Sequence, residues 1–586
     1  MTRQYFEEEM RYLQEAAKVF AEEHPEQAQF LDVDSVSDRD PYVERLFEGF
    51  AFLSGRIHER LDNEMPEYTE SLIQLLYPHF LKPVPALSIV EFDVEPGLVQ
   101  ETNVLERGLE LRSEPVGDED VPCRFTTTQD VRLQPFRLDE VSLSYSGAEQ
   151  SRVRFRFEVD RGVDLGTLEV SPLRLYFHAD AATASTMHRF FTRHVSHLDV
   201  STDGASGDTG LRGQRWVQPG GLSESEALLP DERKTFSGLR LLQEYFCFRR
   251  KFWFVDMMGL DRLDPPDNAD AFQVDVYFDE LYPEERRFDT EQVRLHCTPV
   301  VNLFTMDAEP LHIEGEVSEH RVVPSVTSPE SIETYDVTKV VGTENASGDK
   351  RTYERFYQFD RVQNGSEDDC FFATSRRIGP TGRPDVYLSL GDAHLRALQE
   401  SPSETLSVEV RCTNGSLPRE EITEGMINQL PADVPDFAQP RNLTQPTLIQ
   451  YPPNQEDSDF FWKLISHWSF NYRSVAEEGA LVGLLELYDW PETSGNQRRR
   501  KGIRDVSWAP KDTVAEGAVL RGAEVTIEVE DGYFADEGDL CLFGLVMSRF
   551  LSLYATINSF VHLTIVTSPS EQRYEWTPSR GARPNL

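Results

Sequence analysis

Between Tyr77-Pro78 and Phe92 the chain changes its hydrophobic period, and that switch limits the available folds more than any other feature. Upstream, Asp40 is a good N-cap and Pro41 suits the first helical position, where its missing N–H is no loss. Val43, Leu46, Phe47, Phe50, Leu53, Ile57 and Leu61 then recur at three- and four-residue steps, an apolar stripe of helical period. Pro66 opens a second helix carrying Leu72, Ile73, Leu75 and Leu76, and Pro78 stops it. Pro83 and Pro85 forbid a helix, and Ile89-Val90-Glu91-Phe92-Asp93-Val94-Glu95 alternates at period two as a strand does. Ahead of these lies a helix over 3–24, with Phe6, Met10, Leu13, Ala17 and Phe20 spaced close to a 3.5-residue repeat that suits bundle packing. Three helices alone bury a core only marginally, so their stripes call for further helices to pack against.

Past Leu87 the pattern is mainly that of strands. Val153, Phe155, Phe157 and Val159 alternate with Arg152, Arg154, Arg156 and Glu158, and Phe272, Val274, Val276 and Phe278 repeat the pattern. Such alternation predicts antiparallel strands with one dry and one wet face. One helix is predicted around Thr183–Leu198. A second β-rich stretch runs from about Pro310 to Arg411. From about Gln445 helices and strands mix: Phe461–Asn471, Val475–Tyr488 and the row Leu540, Phe543, Val546, Met547, Phe550, Tyr554 are helical in pattern, whereas Val525–Val529 and Val561–Ile565 are strand-like. The expected fold class is multidomain α+β: an N-terminal helical arm or bundle segment (1–85), two central antiparallel β-rich domains (86–308 and 309–440) and an α+β C-terminal domain (441–586). There is no fixed-period repeat.

Composition narrows the function classes. The 586 residues are enough for about four domains, and 36 Phe with 20 Tyr supply ample core. With 58 Lys+Arg against 102 Asp+Glu the net charge is −44, a field that repels nucleic acid and anionic lipid. MTRQYFEEEM lacks the basic start and apolar core of a secretory leader. No apolar run approaches the ~20 residues of a membrane span. Six scattered cysteines without a CxxC pair read as reduced core residues of a cytosolic protein.

No motif of catalytic weight is present: no phosphate loop, HExxH, GxSxG or GxGxxG in the required context. His188, His194 and His197 cluster in sequence, and the last two have a spacing a metal could use, but neither cysteines nor clustered carboxylates accompany them. His296-Cys297 are strand neighbours that point to opposite faces, which disfavours a catalytic pair. Asp531–Asp539 (DGYFADEGD) lacks EF-hand spacing and reads as a turn. The run Arg498-Arg499-Arg500-Lys501 reads as a polar loop, either simply solvated or docking an acidic partner.

Several long segments carry a resemblance. The opening YFEEEMRYLQEAAKVFAEEHPEQA, the stretch DPYVERLFEGFAFLSGRIHERLDNEMPEYTESLIQLLYPHFLKPVP, then LRLLQEYF, HCTPVVNLF, RCTNGSLP, KLISHWSFNY, RGAEVTIEVED, RFLSLYATINSF and the terminal WTPSRGARP follow one another collinearly. Together they resemble the TssF (VasA/ImpG) family of type VI secretion baseplate subunits. Leu239, Trp468, Phe470 and Arg473 depart from the pattern, which bears on local contacts only.

The resemblance implies a structural protein without catalytic residues, cofactor or metal, similar to a baseplate wedge protein of contractile phages. It implies assembly with a TssG-like subunit, two copies of this chain to one, and contact with TssK-like and TssE-like subunits. Six such wedges would surround a spike hub and carry sheath and tube. The location implied is cytoplasmic, recruited to the inner-membrane secretion complex, with no nucleic-acid partner and no direct membrane insertion. Candidate interface and self-association residues are Phe6, Met10, Leu13, Phe20, Phe47, Phe50 and Ile57 in the N-terminal helices, and Phe550 and Tyr554 near the C-terminus. The alternatives are a wedge protein of another contractile, phage tail-like particle, an acidic-surface hydrolase with a carboxylate site, and a ligand-binding β protein. The charge itself makes one prediction: added salt raises the melting temperature by screening self-repulsion, and a melting series that stays flat from low to high salt contradicts it.

Overall fold

The computed structural model describes residues 10, 45, 48–52, 73 and 78–586, except 147–149, 203–209, 231–236, 263–264, 267–268, 314–318, 327–330, 346, 356–369, 380–382, 393–403, 432–433, 435–436, 454–477, 516–517, 556–558 and 582–586. Most of the three N-terminal helices, and the segment Phe461–Tyr472 with Ser466-His467, lie outside the described residues. The chain divides into two compact units, Met1–Leu81 with Pro453–Ser469, and Lys82–Pro452 with Phe470–Leu586. In the first, Met10, Arg45, Glu48–Phe52 and Ile73 are helical and a 3-10 turn spans Pro78–Leu81.

The second unit is α+β and is organised on the strand Leu87–Val94. With helix forbidden by Pro83 and Pro85, the strand pairs antiparallel with Cys297–Val301 on one side and Ala438–Asn442 on the other. Glu110–Val116, Val121–Thr127 and Ile427–Gln429 complete a six-stranded sheet. Residues Leu87 to Phe92 are buried on both faces, so the alternation seen in the sequence does not give this strand a wet side. Glu91 is accommodated by Arg441, whose guanidinium donates to it at 2.8 and 2.6 Å. The segment Ser113–Pro122, loop-like in composition, is instead mostly hairpin strand, turning at Gly117 with φ +73°. Both ends of the segment Lys82–Pro452 are anchored within this unit. Val84 and Gln450 exchange backbone hydrogen bonds at 2.8 and 2.9 Å, Lys82 pairs with Asp336 at 2.5 Å, and the Tyr451 hydroxyl reaches Glu333 at 2.8 Å.

A five-stranded sheet follows the predicted alternation. Gln150–Val159 lies between Phe136–Ser146 and Ala271–Phe278, with Val195–Thr202 and Leu211–Arg212 beyond. Val153, Phe155 and Phe157 face inward with Phe272, Val274 and Val276, and Phe157 stacks on Phe272 at 4.7 Å. Full burial of each such ring contributes about 1.5–3 kcal/mol. On the outer face Arg154 grips Asp275 through two bonds of 2.7 Å. A four-stranded sheet of Val217–Pro219, Phe254–Met257, Leu173–Phe177 and Val293–Arg294, and an eight-stranded sheet of residues between Phe304 and Thr413, complete the central region.

The predicted helix at Thr183–Leu198 runs from Ala181 to Arg193, capped by Asp180, whose carboxylate accepts from the N–H groups of Ala182 and Thr183. It ends earlier than its hydropathy suggests because Val195–Thr202 is taken up by the ladder with Ala271–Phe278. His194 becomes the C-cap and His197 moves onto a strand, stacked on Tyr277 at 4.2 Å. The helical His194/His197 spacing therefore does not exist. The C-terminal region pairs the hairpin Ile503–Ala515/Ala518–Glu530 with Ser559–Ser568 in parallel, and the helix Glu537–Tyr554 supplies the crossover that parallel strands need. Gly538 lets that helix approach the first one: a Cβ there would meet the backbone of Ser185 at 2.5 Å.

The basic run is helical rather than a loop, and two of its four cations are engaged by the chain's own acids. Thr493 caps a helix, Ser494–Lys501, by accepting from the Asn496 N–H. Arg499 is buried and its Nε donates to both oxygens of Asp539 at 2.9 Å, with Arg249 on the same carboxylate. Burial alone would raise the Asp539 pKa, but the two guanidinium charges outweigh it and hold it below the usual range. Arg500 lies 3.1 Å from Asp489 and 3.4 Å from Glu486, while Arg498 donates to the Gly532 carbonyl at 2.7 Å. The adjacent Arg499 and Arg500 are drawn inward by acids outside their own helix, Asp539 for the first and Asp489 for the second, which no local pattern shows.

Two predictions follow from this packing. Arg499→Ala leaves Asp539 half-compensated and should cost about 3–5 kcal/mol in denaturant unfolding, whereas Lys501→Ala on the exposed side of the same helix should cost under about 0.5 kcal/mol. His188 is fully buried with both ring nitrogens unpartnered, and burial lowers its pKa to about 4. The unfolded chain protonates it near the ordinary value of about 6.5, so its stabilising effect is complete above that pH and is lost as pH falls toward 4. In melting curves between pH 7 and 4.5, His188→Leu should lose less stability than the wild type, by up to about 1.4 kcal/mol per pH unit; parallel curves contradict this.

Candidate interaction site

The apolar residues singled out in the sequence fall into three groups. Phe6, Leu13, Phe20, Phe47 and Ile57 lie outside the described residues. Met10 is half-buried, and Phe50 is 61% exposed on a helical turn shared with Phe52, 48% exposed, while Ala51 between them is fully buried. The two rings stand two residues apart and so point to different sides of the helix, each an exposed apolar group that gains from being covered. Phe550 is fully buried within the chain's own C-terminal core and Tyr554 ends the helix Glu537–Tyr554. In the second unit Leu98, Val104, Leu281, Leu448 and Tyr451 are also exposed. No sequence pattern marks these five residues. They sit singly in turns and short strands, so no periodic stripe announces them.

A cavity of about 960 Å³, lined by both apolar and polar groups, opens where the six-stranded sheet's loops, the four-stranded sheet and the C-terminal helix come together. On its wall Arg174 binds Asp256 at 2.7 Å, Glu226 at 2.8 Å and the Gln129 side-chain oxygen at 2.7 Å. Burial pushes the Glu226 pKa up, but Arg174, Ser223 and backbone N–H groups prevail and hold it below its usual range. That is the opposite of the raised carboxylate a general acid needs. His296, also on the wall, is driven to a pKa of about 4 by burial and accepts a hydrogen bond from the Gln134 N–H at 3.3 Å. The neighbouring Cys297 thiol donates to the Leu295 carbonyl and is pushed well above its ordinary pKa, so it is an inert thiol rather than a nucleophile.

Metal-type constellations are likewise taken apart by the fold. His188 is buried in a helix, His194 contacts Asp279 at 3.1 Å, and His197 stacks on Tyr277. Among the described residues no group of three or more His, Cys, Asp or Glu is placed to hold a metal ion. In Asp531–Asp539, Asp536 caps the C-terminal helix and Asp539 sits between Arg249 and Arg499, so these oxygens serve the fold. Among the described residues no helix is long and apolar enough to cross a membrane.

The family model "Type VI secretion system, TssF" matches residues 1–583 of the chain. The "Type VI secretion system component TssF1" of Pseudomonas aeruginosa is 30% identical over 636 aligned residues, covering 100% of this chain and 99% of its own length. A chain of the solved type VI secretion system TssK-TssF-TssG baseplate subcomplex is 31% identical with a TM-score of 0.77, over 92% of this chain and 99% of that one. A chain of a solved baseplate complex from the type VI secretion system is 28% identical with a TM-score of 0.60, each chain being covered in full. Its relatives are structural components of a baseplate, and over its whole length, in sequence and in fold, this chain belongs to the TssF family of the type VI secretion system.

Proposed function

We propose that this chain is a wedge subunit of a type VI secretion baseplate and works by binding other subunits, without catalysis. The observation that carries this is its end-to-end likeness, in sequence and in fold, to a chain of a TssK-TssF-TssG baseplate subcomplex. In that role two copies join one TssG-like subunit, and the wedge engages TssK-like and TssE-like subunits around a spike hub on which sheath and tube are built. The helical segment of residues 1–85 is the part that enters a bundle shared between subunits, with Phe6, Met10, Leu13, Phe20, Phe47, Phe50 and Ile57 on its seam. The exposed rings of Phe50 and Phe52 support this, because they lie uncovered on helical backbone. Two β-rich domains (86–308 and 309–440) act as the rigid body, and the segment 441–586 with Tyr554 provides contacts to the next wedge. The protein works in the cytoplasm, brought to the inner-membrane secretion complex by its partners.

Co-expression with a TssG-like protein tests the proposal. The pair should purify as one complex with two copies of this chain, and the chain alone should self-associate or dissolve poorly. Phe50→Ser combined with Phe47→Ser should weaken partner capture at least about tenfold while leaving the second unit's melting transition in place. A monodisperse chain that ignores the partner in low and moderate salt overturns the proposal.

A further inference from the structure

Arg549 is the only charged residue between Leu540 and Tyr554, and it is half-buried on the helix Glu537–Tyr554. In a chain with 102 acidic and 58 basic residues an arginine at that depth ordinarily finds a carboxylate, as Arg154, Arg174, Arg441 and Arg499 do. Arg549 makes no side-chain hydrogen bond or ion pair with any described residue, and its side chain lines the cavity of about 960 Å³. A half-desolvated guanidinium without a partner is costly, and an anion that completes it recovers that cost.

The other groups around the cavity have the same character. Arg107 stands on an exposed turn, and among the described residues its guanidinium has one hydrogen bond, at 3.4 Å to the Ser225 carbonyl. Arg132 reaches the Ser171 carbonyl at 3.3 Å and the exposed Glu169 only at 3.8 Å. Gln129 is buried, and its side-chain amide nitrogen has no partner although its oxygen is taken by Arg174. The acids present are already engaged: Asp256 and Glu226 by Arg174, and Asp130 by the Arg107 backbone N–H at 2.8 Å. What is left over is a set of donors.

We infer that this cavity is a docking site for an extended acidic peptide segment of a partner subunit, with Arg549, Arg107 and Arg132 binding its carboxylates. The volume decides between occupants. A single small anion fills a minor part of about 960 Å³, whereas pockets of ~300–1,000 Å³ enclose drug-sized ligands, room for a few side chains of a peptide. The net charge of −44 repels such a segment at long range, so binding depends on close, bidentate arginine contacts and resists non-specific anion capture elsewhere on the surface. The inference holds whether or not the assembly is the one proposed above.

The test uses the full chain and a fluorescein-labelled octaglutamate peptide, followed by anisotropy at about 0.15 M salt, where long-range repulsion is screened. Saturable binding is expected, weakened about tenfold or more by Arg549→Ala and by Arg107→Glu, with Arg549→Lys between. Arg504→Glu, on the exposed hairpin and paired with Glu530, should change nothing. Absence of binding, equal binding by the Arg549 and Arg107 variants, or displacement of the peptide by inorganic phosphate at matched ionic strength overturns the inference. If Arg549→Ala lowers the melting temperature, Arg107→Glu on its exposed turn decides the matter alone.

Discussion

The backbone of Leu87–Val94 is the constraint from which the second unit is built. Its N–H and C=O groups are buried, and buried backbone groups must be paired. The partners come from Cys297–Val301 and Ala438–Asn442, some 200 and 350 residues downstream. One sheet thus collects residues 87–94, 110–127, 297–301 and 427–442, and everything between those strands has to leave the sheet and return to it. The five-, four- and eight-stranded sheets are built mostly from these excursions. The two ends of the segment Lys82–Pro452 are held by the Val84–Gln450 bridge and the Lys82–Asp336 pair.

Charge is used internally as much as on the surface. In a chain with so many carboxylates, arginine becomes the cross-brace: Arg154 across two strands, Arg174 between a sheet and a short helix, Arg249 and Arg499 on one aspartate from different parts of the chain. Each pair works because both partners are held by surrounding secondary structure, so little side-chain freedom is lost and the charge is never left alone. Buried thiols and histidines are pushed toward their neutral forms by the same low-dielectric interior. Titratable groups with shifted pKa values are therefore plentiful here, yet those in the cavity wall are shifted away from what acid–base chemistry requires.

This arrangement agrees with membership of a family whose relatives are parts of a multi-subunit baseplate. Phenylalanine is abundant, and where the second unit is described most of it is spent on its own cores, as Phe550 shows. Phe50 and Phe52, by contrast, remain in water on helical backbone. The described rings thus divide into those that finish a core and those that face outward.

By itself the sequence determined whatever depends on neighbours along the chain: the helix-to-strand switch at Pro78–Pro85, the alternating strands at 150–159 and 271–278, the helix near Leu540–Tyr554 and the lack of a motif for catalysis. Its long collinear segments also carried the family. Only the tertiary structure decided the rest. Helix Ala181–Arg193 stops where a distant strand claims Val195–Thr202. Within the basic run 498–501, Arg499 and Arg500 turned inward because Asp539 and Asp489 wait there, and Arg549 was left without such a partner among the described residues. Local periodicity records the preference of a segment for one side of an interface, but ion pairing and strand pairing join residues hundreds of positions apart, and nothing in the spacing of either partner names the other.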